Sequence, residues 1–100
     1  MIIKVNCKVF HKGEKVPTTV GSFNTNDYNL AIMASSGIAL FFKKVAKQVS
    51  CIYEENRVNV VVYAPDSYPE PDIDDEVFDE LVGTMFIENV EVAFNLSDNQ

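Results

Sequence analysis

The chain has no tryptophan, one histidine, two cysteines, four glycines and four prolines in 100 residues, and no basic residue after Arg57. Each shortage excludes something. So few glycines and prolines, with no period among them, exclude collagen-like and low-complexity chains. Cys7 and Cys51 form neither a CxxC pair nor a Cys/His metal spacing. Both lie in apolar, strand-like contexts and are expected as buried free thiols. Gly13, Gly21, Gly37 and Gly83 are isolated, so no phosphate-cradling loop exists. No segment reaches the ~18 apolar residues of a membrane span. The first ten residues, MIIKVNCKVF, are interrupted by Lys4, Asn6 and Lys8, unlike a signal peptide. A reducing, cytoplasmic setting is the expectation.

What is present is an apolar fraction of 47% against 23% charged residues, which suits one compact domain over residues 1–100. Half that length could not bury a stable core, and so apolar a chain does not stay disordered. Charge is unevenly placed along the chain. Residues 1–57 carry all eight bases and four acids; residues 58–100 carry eleven acids and no base, giving +4 and −11 within the net −7. Eight of those acids fall between Asp66 and Glu80. Such a block repels phosphate backbones and suits a basic partner surface or a cation.

Hydropathy patterning predicts an α+β fold, a single two-layer domain with a mostly antiparallel sheet in the order β-β-α-β-β-α-β. Residues 2–10 alternate, with Ile3, Val5, Cys7 and Val9 on one face. A turn at His11–Glu14 leads to a second strand over 15–23, at an edge or bulged because Pro17 cannot donate to a ladder. Asn24–Asp27 offers helix caps, and the helical period runs from Tyr28 to about Gln48. Ser35-Ser36-Gly37 marks a kink or a close approach to the sheet. A second hairpin joins Cys51–Tyr53 to Val58–Ala64, the latter central because valines occupy both its faces. The segment 66–71 (DSYPEP) reads as a loop. A short acidic helix follows over Asp72–Val82, stopped by Gly83, with Ile73, Val77 and Leu81 as its apolar stripe. A last strand over Met85–Leu96 is predicted from the apolar even positions Phe86, Val90, Val92, Phe94 and Leu96.

No constellation points to catalysis. His11 has no nucleophile or orienting partner in sequence and reads as a solvent-exposed turn residue. Asp72, Asp74, Asp75 and Glu76 resemble a calcium loop only loosely, because Val77 and Gly83 stand where Gly and Glu are required. Carboxylates adjacent on an exposed helix lack the desolvation that separates acid from base. No enzyme, cofactor or metal is expected. The candidate partner-binding set is Asp66, Tyr68, Glu70, Asp72, Asp74, Asp75, Glu76, Asp79 and Glu80, with Tyr68 as an aromatic anchor within a charged rim.

In size, charge and lack of catalytic motifs, the chain is similar in general character to the small acidic inhibitors of phages and mobile elements, the anti-CRISPR and anti-restriction proteins. The resemblance carries no residues over. It implies a cytoplasmic protein-binding module whose carboxylates stand in for phosphates and occlude a basic, nucleic-acid-binding surface of a host protein. It implies no direct contact with nucleic acid or membrane. The alternative is a structural or assembly subunit, as a homodimer or a small partner in a larger complex. The lysine-bearing first half predicts a bipolar molecule.

Overall fold

The structure, a computed structural model, describes residues 2–65 and 74–98. Its elements are β1 (Ile3–Phe10), β2 (Thr18–Thr25), α1 (Tyr28–Phe42), β3 (Gln48–Tyr53), β4 (Arg57–Tyr63) and α2 (Asp75–Asp98). The four strands form one mixed sheet in the order β2-β1-β4-β3. Two pairings are antiparallel, and the central pair, β1 with β4, is parallel. Alternation turns Ile3, Val5, Cys7 and Val9 of β1, and Val58, Val60 and Val62 of β4, to the same face. There they join one core with residues of both helices. α1 packs over β3 and β4, α2 over β1 and β2, and the helices pack on each other. The domain therefore has two layers, as the patterning predicts. The other sheet face carries Lys4, Lys8 and Arg57 around an Asn6–Asn59 side-chain hydrogen bond and a stacked Phe10–Tyr63 pair.

The edge position of β2 agrees with Pro17, which sits just before the strand. The irregularity falls later than Pro17. The register steps from Cys7↔Gly21 to Lys8↔Thr19, which leaves Val20 outside the β1 ladder. α1 is capped by Asp27, whose carboxylate accepts from the Asn29 and Leu30 amides at 3.0 and 3.3 Å. It is shorter than the helical period suggests, and residues 43–47 form turns that free β3 to begin at Gln48. Its buried stripe runs through Ala31, Ala34, Ser35, Ile38 and Phe42, while Tyr28 and Leu40 face outward. Gly37 does mark a close approach, though to α2. A methyl group there would collide with the Asn89 side chain.

The C-terminal third departs from the predicted order. No strand follows the acidic helix; residues 75–98 are one helix of 24 residues. Asp74 caps it, accepting the Val77 amide on its carboxylate at 2.9 Å and the Phe78 amide on its carbonyl at 3.0 Å. The buried stripe is Phe78, Val82, Phe86, Val90 and Ala93, a helical period. The alternation in 90–96 is accidental: Val92, Phe94 and Leu96 are all exposed. Gly83 does not stop the helix, because its missing side chain is used differently. A Cβ there would come within 3.0 Å of the Val20 carbonyl oxygen, so glycine lets α2 sit close on β2. The element order is thus β-β-α-β-β-α, with a long second helix in place of a short helix and a strand.

Candidate binding site on the long helix

Of the nine predicted site residues, Asp66, Tyr68, Glu70 and Asp72 lie outside the described residues. The other five, Asp74, Asp75, Glu76, Asp79 and Glu80, come together on the cap and first turns of α2. Asp74, Asp75, Glu76 and Glu80 are exposed. Carboxylates here favour the helix start, where unsatisfied amides leave partial positive charge.

The core stripe fixes which way the rest of α2 looks. With Phe78, Val82 and Phe86 inward, Val77 and Leu81 fall outward and are 42% and 45% exposed. This corrects the predicted stripe by one position. Ile87 is likewise 47% exposed, and Glu88 and Glu91 lie in solvent. The outer surface of α2 therefore alternates carboxylates with aliphatic side chains. The helix holds seven acids and no base. Beside it, against the edge strand β2, runs a hollow of about 570 Å³ lined by Thr18, Thr19, Glu80, Thr84 and Ile87, among others. Sequence reasoning missed Val77, Leu81, Ile87, Glu88 and Glu91 as surface residues. The available signal was the absence of any base after Arg57.

Charge is less segregated in space than along the chain. β1 and β4 are parallel and end together, and the start of α2 reaches that end through His11. Lys12 and Lys47 line a hollow of about 250 Å³ there with His11 and Glu14. Lysines of the first half thus share this hollow with His11, which Asp79 of α2 contacts. Further along α2, Glu80, Glu88 and Glu91 are all exposed.

His11 is not an exposed turn residue. It is 8% exposed, with Nδ1 3.0 Å from Glu14 Oε2 and Nε2 2.7 Å from Asp79 Oδ1. Burial pushes its pKa down, but hydrogen bonds to Glu14 and Asp79 and the charges of Asp79 and Asp75 outweigh it, so the net shift is upward. The partner that buries it is 68 positions away, which no local pattern reveals. Asp79 consequently serves as a structural contact as well as a surface acid.

Cys7 is buried as expected, whereas Cys51 is only partly buried. The Cys7 pKa is pushed up to about 12 by burial, with a contribution from neighbouring Cys51; burial also raises Cys51. Both are free and face Val60 across neighbouring strands. Two strand spacings, about 9.6 Å, exceed the reach of a disulfide. No helix among the described residues is long and apolar enough to cross a membrane. Comparison with family models, curated proteins and solved structures finds no match to this chain.

Proposed function

We propose that the protein is a small, non-enzymatic binding module that docks the outer face of α2 on a basic surface of another protein. In this reading it is an inhibitor of the phage or mobile-element kind, acting in a reducing cytoplasm and occluding a nucleic-acid-binding surface without touching nucleic acid itself. One observation carries the reading: α2 presents acids without bases around exposed Val77, Leu81 and Ile87. Acids alone make a solvated face. Acids around aliphatic anchors make a contact with both steering and burial. The hollow beside β2 adds threonine hydroxyls and the Glu80 carboxylate, which can receive a lysine or arginine from the partner.

Lys12 and Lys47 lie around the His11 hollow and Asp79 is engaged by His11, so the contact is centred further along the helix, at Glu80–Glu91. The test is capture of partners by the purified protein at low and high salt, followed by competition with DNA. The reading predicts a nucleic-acid-binding partner that is released by salt and displaced by DNA. Capture that neither salt nor DNA disturbs contradicts it.

A second reading, an assembly subunit, rests on a different observation. Between α1 and α2 lies a groove of about 330 Å³ lined by Met33, Gly37, Leu40, Val92 and Leu96, among others. Leu40, Val92 and Leu96 are 72%, 56% and 54% exposed. Light scattering over a concentration series separates the two: a homodimer that dissociates on Leu40→Glu favours assembly, and a monomer throughout favours the docking helix.

A further inference from the structure

The cluster around His11 has more carboxylates than one imidazole can serve. Glu14 follows it by three residues on the β1–β2 turn, and Asp79 and Asp75 approach from α2. A neutral imidazole has one N–H. In the tautomer with that proton on Nε2, Asp79 Oδ1 accepts it at 2.7 Å. Nδ1 is then left as a lone pair 3.0 Å from Glu14 Oε2, itself an acceptor. Two facing lone pairs repel, so a cation belongs between them. A second proton on the ring is one such cation. A metal ion is the other. On α2, Asp75 stands one turn before Asp79 and brings a further carboxylate to the cluster.

We propose that His11 Nδ1, Glu14 and Asp75 form a site for a divalent transition-metal ion of the zinc type, with Asp79 as the positioning residue. One ligand atom from each of the three lies within 4.8 Å of the other two. Zinc needs bonds of about 2.0–2.2 Å to nitrogen and carboxylate oxygen. Drawing the ligands in falls to Glu14, whose side chain is 50% exposed, and to exposed Asp75. His11 need not move, since it is held from behind by Asp79, whose side chain is 22% exposed. A metal-bound histidine characteristically gives its second N–H to a carboxylate, which is the relation of His11 to Asp79. One imidazole and two carboxylates suit zinc better than the all-oxygen sites of magnesium or calcium, and they leave a fourth position for water. Lys12 and Lys47 line the adjoining hollow. Their charge opposes the metal, so affinity in the micromolar range is expected rather than the tighter binding of a closed structural site. The ligands come from the β1–β2 turn and from the start of α2, so the metal ties two distant parts of the chain together.

The test is a titration of the chelator-treated full chain with zinc alone at mildly alkaline pH. Calorimetry is read beside the imidazole NMR signals of His11, the sole histidine. The expected result is one saturable site per chain, with the His11 signals moving in step with the heat and release of any proton still held at Nδ1. Glu14→Gln and Asp75→Asn should each weaken zinc at least about tenfold, with circular dichroism showing both variants folded before metal is added. Asp79→Asn should weaken it too and alter the His11 tautomer signature before any metal is added. A control change away from the cluster, Glu54→Gln, should bind as the parent. Zinc that leaves His11 unmoved, binds Glu14→Gln and Asp75→Asn as tightly as the parent, or is displaced by equimolar magnesium overturns the proposal. Each of those outcomes means diffuse adsorption on an acidic surface.

Discussion

The two helices of this fold do different work with similar geometry. None of the 15 residues of α1 is charged, whereas α2 carries seven acids in 24 residues. α1 gives one face to the sheet through Ala31, Ile38 and Phe42, and its outward side is mostly aliphatic and aromatic. The inner face of α2 is equally apolar, through Val82, Phe86 and Val90, but its outer face is acidic. The lesson is that the inner faces of both helices account for the fold. The acidic outer face of α2 is not needed by that core.

The largest effects should separate inner faces from outer ones. Phe42→Ala in α1 and Phe86→Ala in α2 each remove a fully buried ring and should cost about 3–5 kcal/mol in denaturant unfolding. Leu81→Ala, on the outer face of α2, should cost no more than about 0.5 kcal/mol. A large loss at Leu81 with little at Phe86 would reverse the orientation given to α2. Next in size is Gly21→Ala. A methyl group at Gly21 would stand 2.6 Å from the Phe86 ring, which has no room to yield, so a loss of about 1–3 kcal/mol is expected in the same measurement.

A smaller effect, dependent on pH, belongs to His11. Its folded pKa is raised, because the Glu14 and Asp79 contacts outweigh the lowering by burial. Protonation therefore favours the folded state. That contribution is complete below the unfolded value near 6.5 and is lost as pH rises through the higher folded value. The melting temperature of the parent should fall across that window, and the fall should flatten in Asp79→Asn. An unchanged slope would remove the clamp between the β1–β2 turn and α2. The smallest expected stability effect is at Glu88→Gln with Glu91→Gln, within about 0.5 kcal/mol by thermal unfolding, because exposed acids on a helix lacking bases hold little up.

Much of this architecture was legible in the residues, and the failures have physical causes. The N-terminal hairpin, the central place of β4 and the burial of Phe42 and Val60 all follow from alternation and period, and the edge position of β2 follows from Pro17. The parallel pairing of β1 with β4 does not, since register between strands far apart in sequence leaves no local mark. Val90, Val92, Phe94 and Leu96 mimic a strand because three of them are exposed aliphatic or aromatic residues on a helix that buries Val90. Gly83 mimics a helix stop because the same missing side chain that ends helices also lets a helix sit close on a strand. At the site, the acids of the first turns were visible as a charge run. The aliphatic residues among them were not, because their exposure depends on the one-position rotation of α2. His11 was hidden for the same kind of reason, since Asp79 reaches it only in the folded chain.

The central claim is that the outer face of α2 is the docking surface. It is tested most directly by comparing the parent with a variant carrying Glu80→Lys, Glu88→Lys and Glu91→Lys in a partner-capture experiment at low salt. The two proteins should have matching circular dichroism spectra and melting temperatures within a few degrees. The account predicts that the partner retained by the parent is lost from the variant, and that its DNA binding is no longer blocked. Retention of the same partner by the variant, at the same salt, would contradict the claim and move the contact elsewhere on the fold.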